Sequence, residues 1–358
     1  MQVDSMDTYK ISMEEFKYLR SLPLDIKVAI AKDRIREFAR TYGMDGIYHS
    51  DSGGLDSIVL RHILRECFPE GFQSVYLDTW LEFPQIRRLI KEQIPNLVVL
   101  KPALSIKEIV KKAGWCFPSK DVAQMIQAVR NNEQWAIRKI NGLDANGKPS
   151  SFRQQYRIWW PLVDSRFLIS PDCCVWQKEK PALLYEKETG RHPILGLRAD
   201  ESLRRTSSYL RTGCNSFDVR YVLNKETGEY ETRTNKRPFS KPISIFTKQD
   251  ILHYVLQKGL VVPDPYGRII PANYDMHQES LVPLETTRLC ENCSLKTTGE
   301  SRTGCIFCPI GCHLDRFRKM KRLKKWNPDL YDYCMEELGE RELLEWVNEH
   351  YVHEKHAF

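Results

Sequence analysis

The residues best suited to chemistry come early in the chain, as Ser52-Gly53-Gly54-Leu55-Asp56-Ser57. Two glycines let the backbone come close to an anion, and the serine hydroxyls add donors. The segment before them, 46–50, reads as a strand, and Leu55 to Cys67 reads as a helix with Ile58, Val59, Leu60, Ile63 and Leu64 turned inward. A glycine turn between strand and helix brings amide N–H groups to the positive end of the helix, which is a phosphate site. Asp56 is suited to orient a loop amide or to hold Mg²⁺ against phosphates. The spacing fits neither the Walker pattern nor the dinucleotide fingerprint.

Cysteine placement is the second chemical signal. The chain has eleven cysteines; Cys173 and Cys174 are adjacent, and Cys290, Cys293, Cys305, Cys308 and Cys312 follow within 23 residues. In a reducing compartment such clustering points to a metal or redox centre and not to disulfides. Cys290-x2-Cys293-x11-Cys305-x2-Cys308 has zinc-ribbon spacing, so Zn²⁺ is one candidate. Cys67, Cys116, Cys214 and Cys334 are scattered and read as ordinary buried thiols.

These groups must be positioned by a fold. Length 358 suggests about two domains, and 42% hydrophobic with 28% charged residues is a globular balance. Apolar spacing predicts a helix over Leu22–Tyr42, and strands at Ser74–Asp78, Leu97–Leu100 and Pro193–Leu197. A helix over 85–94, a polar helical stretch over 119–141 and a helix after Thr247 complete the pattern, while residues 1–20 give no clear signal. Alternating strands and helices predict an α/β fold with a Rossmann-like parallel sheet, followed by a cysteine-rich, mostly helical segment. Apolar runs are short and the start lacks a signal-peptide pattern, so no membrane span and a cytoplasmic location are expected. The net charge of +7 is compatible with an anionic ligand. Seven cations crowd into Arg316, Arg318, Lys319, Lys321, Arg322, Lys324 and Lys325, either a solvated helix face or a nucleic-acid patch.

The motif set resembles the adenine nucleotide α-hydrolase (PP-loop) superfamily, and within it the phosphoadenylylsulfate (PAPS) reductase family of iron–sulfur type. Ser52–Ser57 is similar to the pyrophosphate loop, and Asp78-Thr79-Trp80-Leu81-Glu82-Phe83-Pro84 to the element after the second strand, with Trp80 where the family often has glycine. Cys173-Cys174-x3-Lys178-x2-Pro181, Gly196-Leu197-Arg198-x2-Glu201-Ser202 and Arg302-Thr303-Gly304-Cys305-x2-Cys308 follow in family order. The resemblance implies that Ser52, Gly53, Gly54, Asp56 and Ser57 hold nucleotide phosphates, that Asp78 and Thr79 lie near the adenosine, and that Arg198 reaches a phosphate or sulfate oxygen. Arg204, Arg205 and Arg268 are weaker candidates, and a surface ion pair with Asp200 or Glu201 is the plainer role for Arg198. It also implies a [4Fe–4S] cluster on Cys173, Cys174, Cys305 and Cys308, with Cys293 or Cys312 as alternates.

Three domains are expected: an extension over 1–21, a nucleotide-binding α/β domain over 22–285 with a helical insertion near 115–165, and a cysteine-rich region over 286–358. The resemblance leaves the reaction open. The complete loop and the absence of a cysteine after Cys334 favour ATP cleavage to AMP and pyrophosphate, with Mg²⁺, for sulfur transfer. PAPS reduction to sulfite is the alternative, and a non-catalytic nucleotide- or nucleic-acid-binding module with a zinc ribbon is the third reading. A sulfur donor or a reductant protein is the expected partner.

Overall fold

The computed structural model describes residues 11–223, 230–234, 237–273 and 293–351. The chain divides into two compact units. The first comprises Met1–Leu77, Phe83–Leu100 and Leu184–Thr303; the second comprises Asp78–Glu82, Lys101–Leu183 and Gly304–Phe358.

The first unit carries the sheet. Its strands are β1 (Ile47–Ser50), β2 (Ser74–Leu77), β3 (Val98–Leu100), β4 (His192–Leu195) and two further short strands, β5 (Asn215–Ser216) and β8 (Phe239–Ser240). Between these last two, β6 (Val219–Leu223) and β7 (Tyr230–Thr234) pair as a separate antiparallel hairpin. The order across the main sheet is β3-β2-β1-β4-β8-β5. Every pairing is parallel except β5 with β8, so the fold is the expected α/β, Rossmann-like type with one antiparallel edge. β1 lies inside the sheet, with Tyr48 opposite Pro193 and His49 opposite Ser74. Its face packs Tyr48 against Val75 and Tyr185.

Helices flank these strands where the sequence spacing placed them. Leu55–Cys67 is a helix with Ile58, Val59, Leu60, Ile63 and Leu64 buried. Leu24–Tyr42 is a helix closed by Gly43 at φ 73°. The Lys248–Gln257 helix opens with a capping box, in which the Thr247 hydroxyl accepts from the Asp250 amide and the Asp250 carboxylate accepts from Thr247 N. A helix at Met13–Ser21 gave no sequence signal because it buries only Phe16; its start is fixed by the Ser12 cap on Glu15 N.

The second unit is helical. Its helices include Ile106–Ala113, Lys120–Arg130, Gln134–Ile140 and, near the end of the chain, Arg318–Trp326 and Glu340–Tyr351. Arg130 ties its turns together, donating to the carbonyls of Leu162, Val163, Ser165 and Phe167. The Ile306 amide donates to the Leu81 carbonyl at 2.7 Å, so the segment after Leu77 and the segment after Gly304 are joined within this unit. Among the described residues no helix is long and apolar enough to cross a membrane.

One buried group in the sheet sets a pH dependence. His49 on β1 is 1% exposed, and among the described residues neither ring nitrogen has a hydrogen-bond partner. Burial lowers its pKa to about 4, although Asp51 lies 3.5 Å away and pulls the other way. The folded value lies below the unfolded value of about 6.5, so the neutral ring is the form that folds. Its contribution to stability is complete above pH ~6.5 and is lost as pH falls toward 4, about 3 kcal/mol in all. Urea unfolding at pH 7 and pH 4.5 should show this loss, and His49→Gln should flatten it; equal pH sensitivity in the variant would remove His49 as the cause.

Candidate active site

The glycine loop leaves β1 at Ser50 and enters the Leu55–Cys67 helix. Asp51 is the buried post that shapes it. One of its oxygens accepts from Gly53 N at 2.8 Å, and the other accepts from Arg61 Nη1 at 2.9 Å. Gly53 turns the chain with φ 69°, and a Cβ there would meet Ile86 Cγ2 at 2.5 Å. Only glycine meets both demands without strain. Gly53→Ala should therefore cost about 1–3 kcal/mol and loosen the loop; unchanged thermal stability would show that the loop tolerates a side chain. Gly196 fits for a different reason: its missing Cβ lies 3.1 Å from Ser57 N, so β4 passes close beneath the first turn of the helix.

Two further amides of the turn, those of Gly54 and Leu55, are only lightly engaged. Gly54 N donates to Ser52 Oγ at 3.4 Å, and Leu55 N to Tyr266 Oη at 3.3 Å. These are long bonds to hydroxyls, which phosphate oxygens can replace. Ser52 and Ser57 hydroxyls lie 2.9 Å apart, and Tyr266 Oη is 2.8 Å from Thr303 Oγ1.

Around the loop lies a pocket lined by Asp56, Arg198, Arg205, Lys248 and Arg302 among others. Arg198 is 6% exposed and ends on acids: Nε donates to Asp56 at 2.8 Å, Nη1 reaches Asp200, and Nη2 lies 3.9 Å from Glu201. The plainer role expected for it, an ion pair with Asp200 or Glu201, is thus present, and Asp56 joins it. Glu201 also faces Arg205 and, at 3.2 Å, Arg302. These four cations exceed the two lining carboxylates, Asp56 and Glu201. Burial, with Arg302 next to it, lowers Arg205 to about 10; burial and Arg198 lower Lys248. Asp56 is pushed up by burial against the pull of Arg198. Crowded, partly desolvated cations are a site short of an anion.

The phosphoadenosine phosphosulfate reductase domain model matches residues 46–312 of this chain. The chain belongs to that family. It is also similar to a solved structure, phosphoadenylyl-sulfate (PAPS) reductase from Candida auris in a phosphate complex, at 15% identity and TM-score 0.35, covering 71% of this chain and 90% of that one. No curated protein matches it.

In this PAPS reductase domain the first unit gathers Ser52, Gly54, Asp56 and Arg198 on one pocket, with Gly53 in the same loop and Ser57 in the first turn of the helix that follows. Arg205 joins them, whereas Arg204 and Arg268 are exposed. Lys248, Tyr266 and Thr303 also line the pocket. Sequence reasoning assigned them no part there, because they arrive from distant segments; only the Arg302-Thr303 motif hinted at the last.

Asp78 and Thr79 follow β2 and belong to the second unit. Both are buried; Asp78 Oδ1 accepts from Trp80 N at 3.2 Å, and Thr79 Oγ1 donates to Glu82 at 2.7 Å. Trp80 has φ 65° and is 61% exposed. It keeps the left-handed backbone that glycine adopts freely, at a cost of order 1–2 kcal/mol.

The cysteine centre lies in the second unit. Gln177 bridges two of its sulfurs: Nε2 contacts Cys173 Sγ and Oε1 contacts Cys305 Sγ, each at 3.5 Å. Lys178 Nζ pairs with Glu82 at 3.1 Å and faces Cys305. Burial raises Cys305 to about 12 against the pull of Lys178. Burial likewise raises Cys173 and Cys308, and Cys174 adds to the rise in each. Cys116, read from sequence as an ordinary thiol, is raised by burial and then by Cys308 and Cys174, so it borders the same group. Cys312 is buried beside Glu340. Cys293 belongs to the first unit, where its carbonyl meets His253 Nε2 at 3.0 Å, and Cys290 lies outside the described residues. Among the described residues no three His, Cys, Asp or Glu side chains surround a point fit for one metal ion.

Proposed function

We propose that this PAPS reductase-family chain is an ATP pyrophosphatase acting in sulfur transfer. The observation that carries the reading is the crowd of Arg198, Arg205, Lys248 and Arg302 around Asp56 at the mouth of the complete glycine loop. The Ser52–Ser57 loop and its amides take the β and γ phosphates of Mg·ATP. Arg198 swings its fork from the carboxylates to a phosphate, a bidentate role suited to guanidinium. An acceptor oxygen attacks the α-phosphorus, the bond to the bridging oxygen breaks, and pyrophosphate leaves with the electron pair. Arg205, Lys248 and Arg302 offset the charge that develops on it. Asp56 orients the loop and shares the cation that arrives with the nucleotide.

The donor set of the second unit suits a [4Fe–4S] cluster. Four cubane irons each take one thiolate, so the ligands need not converge on a point. Cys173, Cys174, Cys305 and Cys308 are the thiols proposed to hold it, and when bound it supplies a site for sulfur or electrons. Gln177 and Lys178 orient the sulfurs and balance their charge.

PAPS reduction is the second reading, favoured by the family itself. It requires an accessible thiolate to attack sulfur. Cys214 and Cys334, the thiols outside the centre considered for that role, are 8% and 0% exposed. Burial pushes Cys214 up to about 12 and raises Cys334. The test is to supply anaerobic protein with Mg·ATP labelled at the α-phosphate and a nucleotide-depleted cell extract as acceptor source. Labelled AMP with pyrophosphate is expected; ADP as the product, or no turnover, contradicts the proposal.

A further inference from the structure

We infer that the Arg318–Trp326 helix is a docking surface for the backbone of a single-stranded nucleic acid. The helix is two-faced. Met320 and Leu323 are buried, as is Phe317 just before it. Arg318, Lys321, Lys324 and Lys325 are exposed. Arg318, Lys321 and Lys325 follow each other at i, i+3 and i+7, the spacing of one helix face. None of these three has a carboxylate partner among the described residues, whereas Lys107, Arg166 and Arg341 of the same unit are each paired with glutamate. The helix itself contains no acidic residue.

Such a helix is poorly built for its own stability. Like charges stand at i and i+4 in Arg318/Arg322 and Lys321/Lys325, and basic residues occupy the first turn, where the macrodipole is already positive. The chain enters it through Arg316 and Phe317, both in the left-handed region at φ 56° and 57°. Charge repulsion and an unfavourable dipole are costs that a bound polyanion relieves.

The occupant follows from what the other face does. A membrane-surface helix needs a free apolar side to insert, but Phe317, Met320 and Leu323 are used in the protein core. The cations are left to meet phosphates from outside. Trp326, at the end of the helix and 41% exposed, sets an aromatic side chain beside these cations. Cations in a row with an aromatic beside them are the features of a single-strand track.

The test uses the full chain and a fluorescein-labelled 20-nucleotide oligodeoxythymidine, read by anisotropy between 50 and 300 mM salt. Arg318→Ala/Lys321→Ala/Lys325→Ala should lower affinity roughly ten- to a hundredfold and flatten the log–log salt slope by about 2, as three lost phosphate contacts require. Mg·ATP binding by the same variant should be unchanged, which separates this surface from the glycine-loop pocket. Unchanged oligonucleotide affinity in the triple variant overturns the inference. So does tighter binding to a 20-base-pair duplex, or binding only to phosphatidylserine vesicles.

Discussion

Arg198→Ala should weaken Mg·ATP binding by roughly ten- to a hundredfold, the worth of a charge-assisted fork to phosphate. The loss has two sources. The variant removes a donor, and it leaves Asp56, Asp200 and Glu201 without the guanidinium that they share. Of these, Asp56 and Glu201 line the pocket and then face the incoming phosphates with one cation fewer beside them. Arg198→Lys should recover only part, because an ammonium cannot reproduce the planar fork. Asp56→Asn, in a background that keeps Arg198, should weaken binding less and act mainly through the metal. Isothermal titration with Mg·ATP checks all three. Equal affinities for wild type and Arg198→Ala would remove Arg198 from the nucleotide site.

Arg61→Met should destabilise the chain by about 3–5 kcal/mol, the cost of breaking a buried ion pair from one side. Asp51 is 2% exposed and Arg61 4%, and the pair is held at 2.9 Å. Without Arg61 the Asp51 carboxylate stays buried with the Gly53 amide as its main partner. For a chain of this size the melting temperature should fall by about 10 °C. The double change Asp51→Asn/Arg61→Met should recover much of the loss, since no buried charge remains. A melting temperature within a degree or two of wild type in the single variant would show that Asp51 is not the post of the loop.

What was legible in the sequence is what local spacing encodes. The strand, the Gly-Gly turn and the Leu55–Cys67 helix were readable because apolar period and glycine both act within a few residues. Arg198 was legible through its motif. Asp51 was not, because its importance comes from Arg61, a turn-and-a-half into the helix, and from burial that no pattern announces. Lys248 and Tyr266 reach the pocket from segments more than 190 residues beyond the loop, so only the folded chain brings them there. β5 and β8 are two residues each, too short to leave an alternation. Cys116 looked solitary in the chain, yet a β-bridge from Trp115 to Ile169 sets it near the Cys173 segment. The Asp78–Glu82 stretch was legible only through its motif; Asp78, Thr79 and Glu82 are buried, with Thr79 and Lys178 both meeting Glu82, while Trp80 stays exposed.

The central claim is that this family member spends ATP and does not reduce PAPS. The most direct measurement is sulfite release from ³⁵S-labelled PAPS by anaerobic protein with thioredoxin and its reductase, beside AMP formation from Mg·ATP by the same protein with the nucleotide-depleted extract as acceptor source. The account predicts AMP formation and no sulfite above the protein-free control, because Cys214 and Cys334 are buried with their thiols held protonated. Protein-dependent sulfite, abolished by Cys214→Ser or Cys334→Ser, would contradict it.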